Sequence, residues 1–181
     1  MANNGNLDLT RGDSRLQGKL QDGALDGPVS IQEAGRPQAR LGYANGVLHG
    51  PSVLYHPNGQ VSAHLPYADG RLHGMAQYFA AEGWLQRKVA YRQGLMHGEA
   101  SSYYPDGSLA ELELYRDGVR DGLYQRFHGN GQVSHRSRYL NGKPLDDGQG
   151  FAEDGRPLDA EGKPISRLRW WWRRWNESAE A

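Results

Sequence analysis

Cysteine is absent from the 181 residues, so disulfides, thiolate metal sites and cysteine nucleophiles are excluded. Net charge is missing too: 21 Lys and Arg stand against 21 Asp and Glu. No global field therefore recruits nucleic acid or an anionic membrane, and an electrostatic partner must meet a local patch. No apolar run nears the roughly 18 residues of a membrane span, and Met1-Ala2-Asn3-Asn4-Gly5-Asn6 offers neither a basic nor an apolar leader. A cytoplasmic location is the expectation. Gly-x-Ser-x-Gly, P-loop and zinc-protease patterns are also missing, so neither an enzyme nor a cofactor is expected. Hydrophobic residues are 37% and mean hydropathy is −0.81, which argues against long core helices. What the chain has instead is glycine, 25 of them at short intervals, the mark of many short strands joined by turns.

The glycines fall into columns 24 residues apart. One column is Gly46, Gly70, Gly94, Gly118 and Gly142; a second is Gly50, Gly74, Gly98 and Gly122; a third is Gly35, Gly59, Gly83, Gly107, Gly131 and Gly155. Aromatic columns keep the same period: Tyr43, Tyr67, Tyr91, Tyr115 and Tyr139, then Tyr55, Phe79, Tyr103, Phe127 and Phe151. Val61, Leu85, Leu109 and Val133 follow the third glycine column. Gly12, Leu20, Gly23 and Gly27 lie one period earlier with one residue deleted. Pairs such as Asn45-Gly46, Asp69-Gly70, Asn58-Gly59 and Asp106-Gly107 tolerate the positive φ of tight hairpins, giving two turns and two strands per repeat. Over Gln60 to Tyr67 the apolar Val61, Leu65 and Tyr67 share one face and Gln60, Ser62 and His64 the other, the period of a half-buried strand.

These features predict an all-β chain: an elongated antiparallel β-hairpin meander of five to six repeats, about eleven strands and roughly 50 Å long at ~4.8 Å per strand. The element Tyr-x-Asn/Asp-Gly-x-x-His-Gly-x4-Tyr/Phe-x-x-x-Gly, clearest in Tyr67 to Gly83 and Tyr91 to Gly107, resembles the MORN repeat, and more closely its bacterial variant. The resemblance implies a β-hairpin ribbon with an interaction role. Bacterial members of this spacing are often antitoxins or immunity proteins, so it also implies a cognate toxin or effector as partner. The expected layout is a flexible N-terminus at 1–11, a repeat domain at 12–156, a linker at 157–164, a helix at 165–176 and a flexible tail at 177–181. Asp121 in place of His, Asp26, and Lys143-Pro144-Leu145-Asp146-Asp147-Gly148 depart from the element, as end repeats do.

Several patterns carry less than they promise. His49, His73 and His97 recur in register, but same-column residues lie two strands apart, roughly 10 Å, too far for one ion to bridge. A turn role is expected of them. Glu99, Glu111, Glu113 and Asp117 sit on strand or turn positions and are expected to line a solvated face. Arg11-Gly12-Asp13 spells an adhesion tripeptide, yet Gly12 keeps the register of Gly35.

The partner-binding candidates are the strand positions that vary within the frame: Arg87, Glu111 and His135 aligned with Ala63; Lys88, Leu112 and Arg136 aligned with His64; Arg138 aligned with Pro66. A non-repeating surface on a repeating scaffold suits one specific protein better than a periodic ligand. The second candidate region is the tail, Arg169, Trp170, Trp171, Trp172, Arg173, Arg174 and Trp175. On a helix Ile165, Leu168, Trp171, Trp172 and Trp175 form one face, and Ser166 can cap it. Three roles stay open for it: covering the end of the ribbon, binding an acidic partner, or weak contact with the inner membrane as part of a peripheral scaffold.

Overall fold

The computed structural model describes residues 4–177, with side chains to residue 172. Among them are seventeen strands and one helix, and the strand pairings are antiparallel. The chain divides into an N-terminal body, Met1–Ala100, and a C-terminal body, Ser101–Ala181. The N-terminal body holds β1 (Gly5–Arg11), β2 (Ser14–Gln21), β3 (Ala24–Leu25), β4 (Gly27–Glu33), β5 (Arg36–Ala44), β6 (Val47–Leu48), β7 (Gly50–Tyr55), β8 (Val61–Ala68), β9 (Arg71–Leu72), β10 (Gly74–Phe79) and β11 (Leu85–Arg92). β12 (Leu95–Tyr103) contains the division. The C-terminal body continues with β13 (Leu109–Arg116), β14 (Val119–Phe127), β15 (Val133–Leu140), β16 (Lys143–Pro144), β17 (Gln149–Gly150) and α1 (Arg167–Glu177).

Residues 5–11, expected as a flexible lead, are a strand instead. β1 pairs with β2 over seven positions, closed by Gly12-Asp13 with Gly12 at φ +59°, and Asp8 accepts hydrogen bonds from Arg15 and Gln17 across the pair. The first-column turns are the expected ones: Asn45 and Gly46, Asp69 and Gly70, and Asn141 and Gly142 all have positive φ, the two-residue turn whose twist matches the flanking strands. Gln93 adopts the same conformation beside Gly94 without the usual Asn or Asp. Each of these turns is also tied back by one repeat: the amide of Gly46 donates to the carbonyl of Leu25, Gly70 to Leu48, Gly94 to Leu72 and Gly142 to Arg120, at 2.7–2.8 Å.

The third-column glycines sit in a five-residue tip, in which His56 N–H donates to Gln60 O and Gly59 N–H to His56 O. The same two bonds recur at 80–84, 104–108, 128–132 and 152–156. In the first hairpin of the repeat register the missing residue falls in this tip, so Ala34-Gly35 closes it as a two-residue turn with Ala34 at φ +48°. The second strand of a repeat is broken where His and Gly meet. His49 and His73 separate β6 from β7 and β9 from β10, which open on Gly50 (φ +80°) and Gly74 (φ +109°), whereas β12 and β14 run through.

Among the described residues the buried side chains are mostly small: Val29, Ala39, Ala63, Ala76, Ala80, Val89 and Ala100, with Ser52, Ser101 and Ser137, and one large polar group, Glu113. The aromatic columns are half-buried. Half-buried rings on the same layer as small buried residues supply the cross-strand packing that a sheet needs to hold together in water. A ring outside the columns meets one of them, as with Tyr124 and Tyr139 at 6.0 Å and 78°. The segment 157–164, expected as a linker, carries bridges Phe151↔Pro157 and Leu158↔Pro164 and another tip-like turn at 159–163. Ser166 Oγ then accepts from the amide of Arg169 and caps α1.

Candidate functional site

Successive strand residues point to opposite faces, so the variable positions divide between two surfaces rather than sharing one. Arg87, Glu111 and His135 have the parity of Leu65, Val89 and the tyrosine column; theirs is the tyrosine face. In register, Arg87 lies opposite Tyr78, and Glu111 and His135 flank Arg126 from either side. Lys88, Leu112, Arg136 and Arg138 belong to the other face, opposite Gln77, Gln125, Gln125 and Leu123. There the second aromatic column takes up Arg136. His64 meets Phe79 edge-on at 5.3 Å, and at the equivalent place Arg136 stacks over Phe151 at 5.9 Å. Arg138 lines an open hollow of about 300 Å³ with Arg136, Asp146, Asp147 and Gln149.

The tyrosine face of the C-terminal body holds an organised cluster of polar groups. Glu113, expected on a solvated face, is buried: its side chain is 3% exposed. Its Oε1 accepts from Arg120 Nε at 2.8 Å, from Arg120 Nη2 at 2.6 Å and from the Tyr115 hydroxyl at 3.1 Å. The guanidinium of Arg120 stacks on Tyr124 at 5.2 Å and Tyr139 at 5.4 Å. Burial works against the charge on Arg120, but the Tyr115 hydrogen bond and the Glu113 carboxylate outweigh it and hold its pKa above the usual arginine value. Tyr124 also packs edge-on against His135 at 5.9 Å, and its pKa is pushed up to about 12 by burial and by a hydrogen bond with Glu111. The Ser137 hydroxyl, opposite Tyr124, is buried with no hydrogen-bond partner among the described residues.

Glu113 and Arg120 have a signal in the sequence that a search for conspicuous motifs passes over. Leu41, Leu65 and Val89 precede Glu113 in its column, and Leu48, Leu72 and Met96 precede Arg120 in the column seven residues on. Two apolar positions change to opposite charges in the same repeat.

The histidine column behaves as a turn element, with a reason that lies in the backbone. The amides of His49 and His73 donate to Gly42 and Pro66, and those of Asp26 and Leu145 make the equivalent bond to Lys19 and Arg138. The side chain is therefore replaceable. Asp26 accepts from the amide of Asn45 in the next turn, and His49 Nδ1 lies 3.6 Å from Asp69 Oδ1. Unforeseen links join the tips: His56 Nε2 to Phe79 O, Tyr104 OH to Phe127 O, His128 Nε2 to Phe151 O, and the side-chain amides of Asn58 and Asn130 to Ala81 O and Glu153 O.

Three described residues of the apolar face of α1 stand largely in solvent. Leu168 is 76% exposed, Trp171 57% and Trp172 63%, while Trp170 is half-buried and Arg169 exposed. The side chains of Arg173, Arg174 and Trp175 lie outside the described residues. Among the described residues no group of three or more His, Asp or Glu is placed to hold a metal, and no helix is long and apolar enough to cross a membrane.

Residues 48–69 and 96–117 match the MORN repeat variant. The comparison with curated proteins returns no match. The two matched stretches each run from one first-column turn through the tip to the next, the segment whose hydrogen bonds recur along the chain. A β-meander of this repeat is a binding or scaffold type of fold.

Proposed function

We propose that this chain is a non-enzymatic protein-binding module of the antitoxin or immunity-protein kind, acting in the bacterial cytoplasm by occupying a cognate toxin or effector. One observation carries the reading. The backbone bonds repeat from hairpin to hairpin, while the tyrosine face changes from Leu65 and Val89 to Glu111, Glu113, Arg126 and His135. A ligand that is itself periodic calls for a periodic face; a single folded partner calls for one that differs along its length. Co-expression with the product of an adjacent gene tests this directly. Growth arrest caused by that product should be relieved by this chain, and the two should co-purify. Arrest that persists with both proteins soluble rules the reading out.

A second reading has its own observation, the exposed Leu168, Trp171 and Trp172 on an arginine-bearing helix. Tryptophan and arginine both suit the headgroup layer, and such a helix would hold the module peripherally at the inner membrane. Flotation with vesicles containing anionic lipid should then be lost when residues 165–176 are deleted. Equal flotation with and without them, or none in either case, removes this reading.

A further inference from the structure

Resting on the reading of this chain as a protein-binding module, we propose that Arg120, clamped by Glu113 and stacked on Tyr124 and Tyr139, anchors a carboxylate of an acidic partner segment. Packing alone gives no account of the Glu113 and Arg120 exchange. At the equivalent positions of the N-terminal body the apolar pairs Leu41 and Leu48, Leu65 and Leu72, and Val89 and Met96 stand in place. A buried ion pair is as a rule no more stabilising than the well-packed apolar residues it replaces. Something other than stability favours it in this one repeat.

The pair is also lopsided. The side chain of Glu113 is 3% exposed and that of Arg120 40%, so the acid is sealed while the arginine side chain reaches solvent. A guanidinium carries five N–H donors in a planar fork; Nε and Nη2 of Arg120 meet a single oxygen of Glu113, and the group also engages Tyr115. Fixed by a counter-ion on one side and two rings on the other, the fork gives up little freedom when it takes a second carboxylate. Arg126, on the same strand as Tyr124, is exposed, while Glu111 is half-buried and engaged with Tyr124. Tyrosines flanking an arginine are the composition of interface hot spots. A polyanion such as nucleic acid fits less well, since the chain is neutral overall.

The test uses the full chain and two fluorescent probes, a tetraglutamate peptide and its tetraglutamine counterpart, at constant ionic strength. The native protein should prefer the glutamate peptide, and Arg120→Gln should weaken it by about tenfold or more, the loss of a charge-assisted contact. Should Arg120→Gln unfold, the double variant Glu113→Val with Arg120→Met, which copies the Val89 and Met96 pair, is expected to fold and to lose the same preference. Arg40→Gln, an equal change of charge on the N-terminal body, should stay within about twofold. Equal affinity of the native protein for both peptides, a folded double variant that still prefers glutamate, or an Arg40→Gln loss as large as that of Arg120→Gln would each overturn the anchor. If the anchor fails while the toxin is still captured, the module reading stands without it. If glutamate binding holds while no toxin is found, the anchor stands and the partner belongs to another class.

Discussion

The tyrosine face of the N-terminal body carries Ala39, Leu41, Ala63, Leu65, Val89 and one charge, Arg87, where that of the C-terminal body carries Glu111, Glu113, His135 and Ser137. Strand register is conserved between them: Ser52 lies opposite Leu65, Ala76 opposite Val89, and Tyr124 opposite both Glu113 and Ser137. One body thus buries apolar side chains at positions where the other buries a charge with its counter-ion. The comparison shows that the frame is held by the backbone bonds of its turns and tips, which leaves the face between them open to exchange so long as each buried charge brings a partner.

Carrying the charge across is the sharpest way to break that contrast. Val89→Glu places an unpaired carboxylate where the N-terminal body has none, and is expected to cost about 3–5 kcal/mol in urea denaturation. Adding Met96→Arg should recover most of that loss; no recovery would mean that the two columns do not pair in that body. In the C-terminal body Arg120→Ala strands Glu113 and should cost about 3 kcal/mol, while Glu113→Val with Arg120→Met stays within about 1 kcal/mol of native. A smaller effect separates frame from filling within one dipeptide. Gly50→Ala, at φ +80°, should lower stability by about 1–2 kcal/mol, and His49→Ala by less than about 0.5 kcal/mol, because only the histidine amide is needed; thermal melts of the two variants decide it.

The smallest expected effect is alkaline. Burial and then the Tyr91 hydroxyl raise the pKa of Tyr78 in the N-terminal body, and burial and then Glu111 raise that of Tyr124 in the other. Both residues hold their proton more firmly folded than unfolded. The stability they add is complete below the ordinary tyrosine value of ~10 and is lost as pH rises from there, through about 12 for Tyr124 and higher still for Tyr78. Ultraviolet titration should therefore show late-ionising tyrosines, and Tyr124→Phe should remove one of them. A titration that finishes near the ordinary value in the folded protein contradicts the burial of both rings.

Much of this was legible in the residues. Asn45-Gly46 and its column predict their own backbone angles because few side chains tolerate positive φ, and Val61, Leu65 and Tyr67 declare a strand face by alternation. Gln93, which takes the same angle as Asn45, does not announce itself; its turn is imposed by the flanking strands. The strand at 5–11 was hidden because a single edge hairpin needs only Leu7 and Leu9 and a glycine turn, too little pattern to stand out from a polar lead. In the sequence Glu113 reads as solvated because a carboxylate's default is water, and only the simultaneous change at Arg120 shows otherwise. The tip links were invisible for a different reason: His56 and Asn58 reach a neighbour 23 residues away, and pairing at that range is a property of the fold and not of any local segment.

The turn amides of Gly46, Gly70 and Gly94 each reach back to the repeat before, and to no other. Addressing along the chain is therefore relative: a repeat recognises its predecessor and carries no record of its distance from either end. Deleting one whole period would leave every donor facing an equivalent acceptor, whereas deleting half a period would leave turn amides against tips. The length of such a chain is a variable that can be edited in whole steps, and a surface specialised in one repeat can be shifted along by adding a plain one beside it.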